Sequence, residues 1–382
     1  MTYTNKIAVK KELYVWAINE SQISIDEIRD RFKDVDDWIN NDAMPTFKQL
    51  EKFANYLKIP FGYLFLDEPP KTDIIEGEFR TIGNKVPTIS KNLKDTIYLM
   101  SRKKDWLSDY RKENGWDIVV GNSNNEFKSM SYMDSVEYIK RFIKLDEHWY
   151  NDCKDSRAGF EYLRDKIENS GIVVMQNGIV GANTHRKLDV KEFRGFMLYD
   201  SYAPLIFINS NDSQNGKIFT LIHELTHVLI GEDDIFIDEK NHLDNAMERK
   251  VNRIVAEILL PTDHINKNWK SDFNAVDQIE ALSKRFKVSR IAVAIKLRQM
   301  NLISHETVAQ IREMTDEDVE SKSKGTGGDY WRSYHSRYSK SFLEAVVQGA
   351  EAGDISYRYA FNLMDVKAKS YDIVKESMVE YG

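Results

Sequence analysis

Apolar positions recur at helical spacing through most of the chain, and polar clusters break the runs into units. The first 70 residues read as short helices with clear start signals. Ser24 followed by Glu27 makes a capping box before 25–32, and Thr46 followed by Gln49 makes another before 50–57. Pro60 and the pair Pro69-Pro70 punctuate the end of this unit. Short tandem helices of this kind fit a helix-turn-helix bundle. A longer charged helix is expected over 90–114, stopped by Gly115. A polar loop at 122–125 precedes a helix-rich stretch that lasts to about residue 170.

The periodicity then changes. Short β-branched or aromatic runs at 171–175, 193–199 and 205–208, separated by Gly, Asn and Asp, read as strands. Helical spacing returns at 213–230 and again at 245–260. The stretch 315–328 is charged and then Gly-rich, and reads as a linker. The tail 329–382 is helical, with Tyr330, Trp331, Tyr334 and Tyr338 expected to pack helices. The resulting divisions are 1–70, 71–165, 166–315, 316–328 and 329–382, in an α+β fold. A chain of 382 residues is long enough for two or three folding units.

Composition narrows the class. Hydrophobic residues make up 42% and charged residues 30%, as in a soluble globular protein. The net charge of -7 gives no overall attraction to nucleic acid or anionic membrane. A single cysteine, Cys153, excludes an intrachain disulfide and fits a reducing compartment. Without a CxxC pair, a metal site has to use His and carboxylates. The first residues lack a signal-peptide pattern, and no apolar run reaches membrane-spanning length. A cytoplasmic location is expected.

The segment 213–230 holds the chemistry. Asp212 or Ser213 can cap it, and Gly231 can end it in the left-handed conformation. Ile218, Ile222, Leu225 and Leu229 form one apolar stripe. Beside that stripe stand His223 and His227, one turn apart on the same side, so two imidazoles can reach one ion. Glu224 flanks that position and can polarise a bound water. The five-residue pattern HExxH arises by chance in roughly one chain in a hundred of this length, and less often on a capped amphipathic helix. The expected metal is Zn²⁺.

A catalytic zinc needs a third protein ligand and keeps a fourth position open. The helix expected at 245–260 has an apolar stripe of Met247, Val251, Ile254, Val255 and Ile258. Glu248 and Asn252 fall on one shoulder of it. Glu257 falls on the far side beside Arg249 and Arg253, and reads as a solvated residue paired with Arg253. Glu248 is therefore the candidate ligand. His242 is the main rival, and His264 follows Pro261 as a weaker one.

These blocks resemble the ImmA/IrrE family of metallopeptidases. The match runs through GIVGANTHRKLDVKEFRGFMLYD, APLIFINSNDS, IFTLIHELTHVLIG and MERKVNRIVAEILLP. The resemblance implies a zincin-like peptidase fold with a small sheet. It also puts the third zinc ligand on the glutamate of an ExxxN element, here Glu248. The stretch NNDAMPTFKQLEKFANYLKIPFGYLFLDEPP is similar to the helix-turn-helix unit of XRE type found on many such proteases. The phrase GEFRTIG resembles the joint that follows it, and the tail resembles an extension of long members. Family proteases cleave helix-turn-helix repressors, often encoded next door in mobile elements or stress regulons, and others sit beside candidate toxins. The resemblance thus implies a protein substrate, a repressor or antitoxin encoded nearby. A non-enzymatic antitoxin or DNA-binding regulator, with a structural or vestigial metal site, is the alternative.

Expectations for substrate contacts are looser. An edge strand beside the metal can pair with an extended peptide, and 193–199 or 205–208 can supply it. His185, Arg186, Phe193 and Tyr202 are the candidate substrate-binding residues. His185, Arg186, Tyr202 and His242 are the candidates for oxyanion stabilisation. The bland reading of 184–186 is a loop held by hydrogen bonds. For the N-terminal unit, charge argues against DNA. Residues 1–68 contain nine Lys or Arg against twelve Asp or Glu, and 34–47 has four aspartates and no basic side chain. Such a surface repels phosphates, so docking of a protein is favoured, with Trp38 and Phe47 as possible anchors.

Overall fold

The computed structural model describes residues 6–21, 23–70, 89–121, 124–231, 246–270, 272–321 and 330–380. They fall into two compact units, Met1–Asp95 and Thr96–Gly382. Among the described residues no helix is long and apolar enough to cross a membrane.

The first unit contains helices α1 (Lys11–Ser21), α2 (Ile25–Arg31), α3 (Val35–Asn40) and α4 (Phe47–Leu57), then a 3-10 turn at Phe61–Phe65. The caps form as their chemistry requires. Ser24 Oγ accepts from Glu27 N, and Thr46 with Gln49 makes the full reciprocal box. The Glu27 carboxylate instead accepts from Tyr56 Oη, at 2.9 Å. The core gathers Leu13, Tyr14, Ile28, Trp38 and Phe53. Trp38 is thus a core residue, whereas Phe47 stays 51% exposed.

Helix α5 (Lys91–Glu113) crosses the division between the units and ends before Gly115, whose φ of 70° suits a residue without Cβ. Helices α6 (Asn124–Ser129), α7 (Tyr132–Phe142) and α8 (Ser156–Glu168) follow. Next come strands β1 (Val173–Asn177), β2 (Ile179–Val180), β3 (Asn183–Lys187), β4 (Gly195–Leu198) and β5 (Leu205–Asn209). β1, β5 and β4 form one sheet in that order; β1 is parallel to β5 and β4 antiparallel to it. Each strand is buried along its length but for the half-buried Asn177, which is why the sequence shows apolar runs rather than alternation. Val174, Met197, Ile206 and Ile208 join the main core. The alternate residues Phe196 and Phe207 stack on each other at 5.0 Å. β2 and β3 make a separate hairpin, so 184–186 is a strand and not a loop. The polar side chains of β3 hide it from any periodicity argument.

Helix α9 (Gln214–Ile230) packs on β4, β5 and α8, and α10 (Ala246–Leu259) packs on α9 and α7. Then come α11 (Thr262–Asn268), α12 (Ala275–Phe286), α13 (Arg290–Gln299) and α14 (His305–Ser321). α14 takes in the first residues of the stretch expected as a linker, because its glycines begin only at Gly325 and the residues before them are helix-compatible.

Helices α15 (Tyr330–Arg337), α16 (Lys340–Ala352), α17 (Tyr357–Leu363) and α18 (Tyr371–Glu380) are tied to the sheet layer. α15 packs along β1. The buried Arg164 donates to the carbonyls of Ser336, Tyr338 and Val174 at 2.8, 2.5 and 3.0 Å. Gln176 Nε2 donates to Ser336 O at 2.9 Å. The tail is therefore part of the same unit and not a separate interaction module.

Lys217 on α9 is buried, donates to Gln176 Oε1 at 3.2 Å and lies 4.5 Å from the centre of the Phe160 ring. Burial pushes its ammonium down to about 8 from 10.5. The unfolded chain then binds the extra proton between those values, so this group lowers stability below pH 8 and ceases to do so as pH rises to 10.5. Relative to Lys217→Met, the wild type is expected to gain about 3 kcal/mol over that interval, read from urea melts of both proteins at pH 7.5 and pH 10.5.

Candidate metal centre

The ends of α9 fix its register. Ser213 Oγ accepts from Gly216 N at 3.0 Å, and Gly231, at φ 72°, closes the helix by donating to His227 O at 3.0 Å. Apolar residues Ile218, Leu221, Ile222 and Leu225 are fully buried and hold the helix on the sheet. β4 approaches closely because Gly195 has no side chain: a Cβ there would meet Thr220 Cγ2 at 2.5 Å and Phe207 O at 2.9 Å.

On this helix the Nε2 atoms of His223 and His227 stand 3.2 Å apart. Helix α10 adds Glu248, whose Oε1 lies 3.1 Å from His227 Nε2 and whose Oε2 lies 3.5 Å from His223 Nε2. Glu248 is only 2% exposed. A tetrahedral ion with bonds of 2.0–2.1 Å holds its donors about 3.3 Å from one another. The three observed separations bracket that value, and two imidazoles with one carboxylate are a zinc donor set. Among the described residues this is the one group of three such side chains within ligating distance of each other.

The rivals do not join it. His264 is engaged elsewhere, its Nδ1 2.8 Å from Tyr150 Oη and its Nε2 3.2 Å from Glu147 Oε1. His242 lies outside the described residues. Glu257 corrects the sequence reading. It does lie across the helix from Glu248, but that side is not solvent: Glu257 is 6% exposed. It pairs with Lys296 Nζ of α13 at 2.5 Å and accepts from Thr262 N and Oγ1 at 2.8 and 2.7 Å. Burial raises its pKa, but the Lys296 and Thr262 hydrogen bonds more than offset this, and its carboxyl sits below the ordinary value. Arg253 stacks over the Tyr132 ring at 4.5 Å instead of pairing with it.

A cavity of about 470 Å³ opens beside the cluster. Glu224, His223, His227 and Glu248 line one part of it, and Phe193, Arg194 and Gly195 line another. Phe193 is therefore at the site. His185 and Arg186 are not: they lie on the β2–β3 hairpin and do not line the cavity. Tyr202 also lies away from it, in the turn after the far end of β4, where Arg111 Nη1 donates to its carbonyl at 2.7 Å. Residues 205–208 form the central strand, paired on both sides, and cannot add a peptide. Within the sheet, that leaves β4 as the edge nearest the His223, His227 and Glu248 cluster, reached at its start. Sequence reasoning missed Asn215, Phe219 and the whole contribution of α13, because no local pattern marks a helix that faces a cavity.

Residues 167–298 match the Peptidase_M78 family model, described as IrrE N-terminal-like domain. This stretch is a peptidase domain of the ImmA/IrrE family. No curated protein and no solved structure matches the chain. The IrrE-like domain spans every residue that lines the cavity except Gln299.

In the IrrE-like domain, Glu248→Ala is expected to weaken zinc binding by at least about 100-fold, since loss of a mere supporting contact already costs 10–100-fold. Competition with a chromogenic chelator measures this; unchanged affinity would remove Glu248 from the ligand set.

Proposed function

We propose that the chain is a zinc endopeptidase that cleaves a regulatory protein, a helix-turn-helix transcriptional repressor encoded near it in a mobile element or stress regulon. The observation behind the chemistry is the convergence of His223, His227 and a buried Glu248 beside Glu224, at the wall of a cavity large enough for a peptide segment. His223 Nε2, His227 Nε2 and one Glu248 oxygen would hold the zinc, which when bound supplies Lewis acidity, making water more acidic and a carbonyl more electrophilic. Glu224 takes the proton of the attacking water and delivers it to the leaving amine. Residues 193–195, which lead into β4, align the extended substrate backbone. The substrate class rests on the family resemblance.

The N-terminal unit is assigned a helix-turn-helix-like role in docking the protein substrate. Its acidity supports this over DNA. So does an aromatic row in which exposed Phe47 and Phe65 flank a half-buried Phe61, with ring centres 4.9 and 5.0 Å from it. A metal site that is structural or vestigial, in an antitoxin or DNA-binding regulator, is the competing reading. The open cavity at the metal cluster favours the enzyme. Co-expression with the neighbouring open reading frames tests the proposal. One repressor band should be lost with the wild type and kept with Glu224→Gln; a band pattern that does not depend on Glu224 would overturn it.

A further inference from the structure

Helix α13 forms part of the cavity wall, and its chemistry is unusual for a helix surface. Ser289 caps it, accepting from Ala292 N at 3.2 Å. Val293, Ala294 and Leu297 bury one face in the core. An amphipathic helix puts polar groups on its other face. Here Ile291, Ala292 and Ile295 line the cavity, and Ile295 is 42% exposed. Leu259 and Leu260, at the end of α10, extend the same apolar wall.

Among the described residues, the basic groups that line the cavity are already matched. Arg194 pairs with Asp212 at 3.6 Å, and Lys296 pairs with Glu257. Glu224 and Glu248 belong to the metal centre. A charged side chain entering along α13 would be desolvated against leucine and isoleucine, with no unmatched counter-charge among the described residues that line the cavity. A large apolar side chain would cover that wall and gain from leaving water.

The wall is also held in place. Lys296 ties α13 to Glu257 of α10, the helix that supplies Glu248, and Tyr132 Oη donates to the same carboxylate at 3.3 Å. A fixed wall gives a preformed pocket, and preformed pockets discriminate shape without first being ordered.

We propose that Ile291, Ala292 and Ile295, with Leu259 and Leu260, form a side-chain subsite that selects substrates with a large uncharged apolar residue next to the scissile bond. The inference rests on the peptidase reading above and adds the specificity of that site.

The test uses full-length, zinc-loaded Glu224→Gln and a set of dye-labelled alanine–serine decapeptides that differ only at one central residue: Leu, Phe, Ala, Asp or Lys. Fluorescence anisotropy gives the affinities. The Leu and Phe peptides should bind at least about 10-fold tighter than the Asp and Lys peptides. Adding Ile295→Asp should bring that ratio near one, with zinc content and melting temperature unchanged; Ile295→Val should preserve it. If Ile295→Asp does not fold, Ile295→Ser serves in its place and should cut the ratio several-fold. Equal binding of all five peptides, or a preference that survives Ile295→Asp or, in its place, Ile295→Ser, would overturn the inference. Failure of the peptidase reading would look different: the apolar preference would persist, while wild-type protein would leave the bound peptides intact.

Discussion

Glu224→Gln is expected to keep one zinc per chain and to lower kcat by about 10²–10⁴-fold, the range that a positioned general base contributes. Glu224 neighbours His223 on α9 and lines the cavity, but it is not one of the three side chains whose donors converge. Glutamine keeps the shape and an acceptor oxygen while removing the basic carboxylate. The loss should therefore fall on kcat, with KM close to the wild-type value. A fall in KM-normalised rate that comes from KM alone would assign Glu224 to substrate binding instead.

The second large effect concerns stability. Lys296→Met is expected to cost about 3–5 kcal/mol, because it leaves Glu257 buried and charged without its partner. For a unit of this size that lowers Tm by roughly 10 °C. The double change Lys296→Met with Glu257→Met should recover most of the loss, since a buried ion pair is often no more stabilising than apolar residues of similar volume. Acid provides an independent check. The folded pKa of Glu257 lies below its ordinary 4.5, so the pair contributes fully above that value and is lost as pH falls through the lower, folded one. The stability gap between wild type and Lys296→Met should narrow on acidification.

The metal helix was legible because its determinants are local. Ser213 and Gly231 set its ends, and an i, i+4 spacing puts His223 and His227 together whatever the surroundings. Glu248 was legible from the face it shares with Asn252. The surroundings of Glu257 were not. Helical periodicity says which side of α10 is apolar; it does not say what meets the other side. That partner, Lys296, lies 39 residues further on, in a helix whose own pattern gives no hint of the contact. The hairpin of β2 and β3 was hidden for a related reason: β2 is only two residues long, and β3 carries polar side chains on both faces, so neither has a burial pattern to show. His185 and Arg186 were among the candidates for substrate contact and oxyanion stabilisation. The fold carries that hairpin away from the cavity, and brings α13 in its place.

In the proposed site, His223, His227 and Glu248 hold a zinc ion with a position left open toward Glu224. Anomalous diffraction at the zinc edge from crystals of the zinc-loaded protein tests it most directly. One strong peak is expected about 2 Å from His223 Nε2, His227 Nε2 and a Glu248 oxygen, with no fourth protein ligand. A peak elsewhere, or a fourth side chain such as His242 closing the coordination, would contradict it.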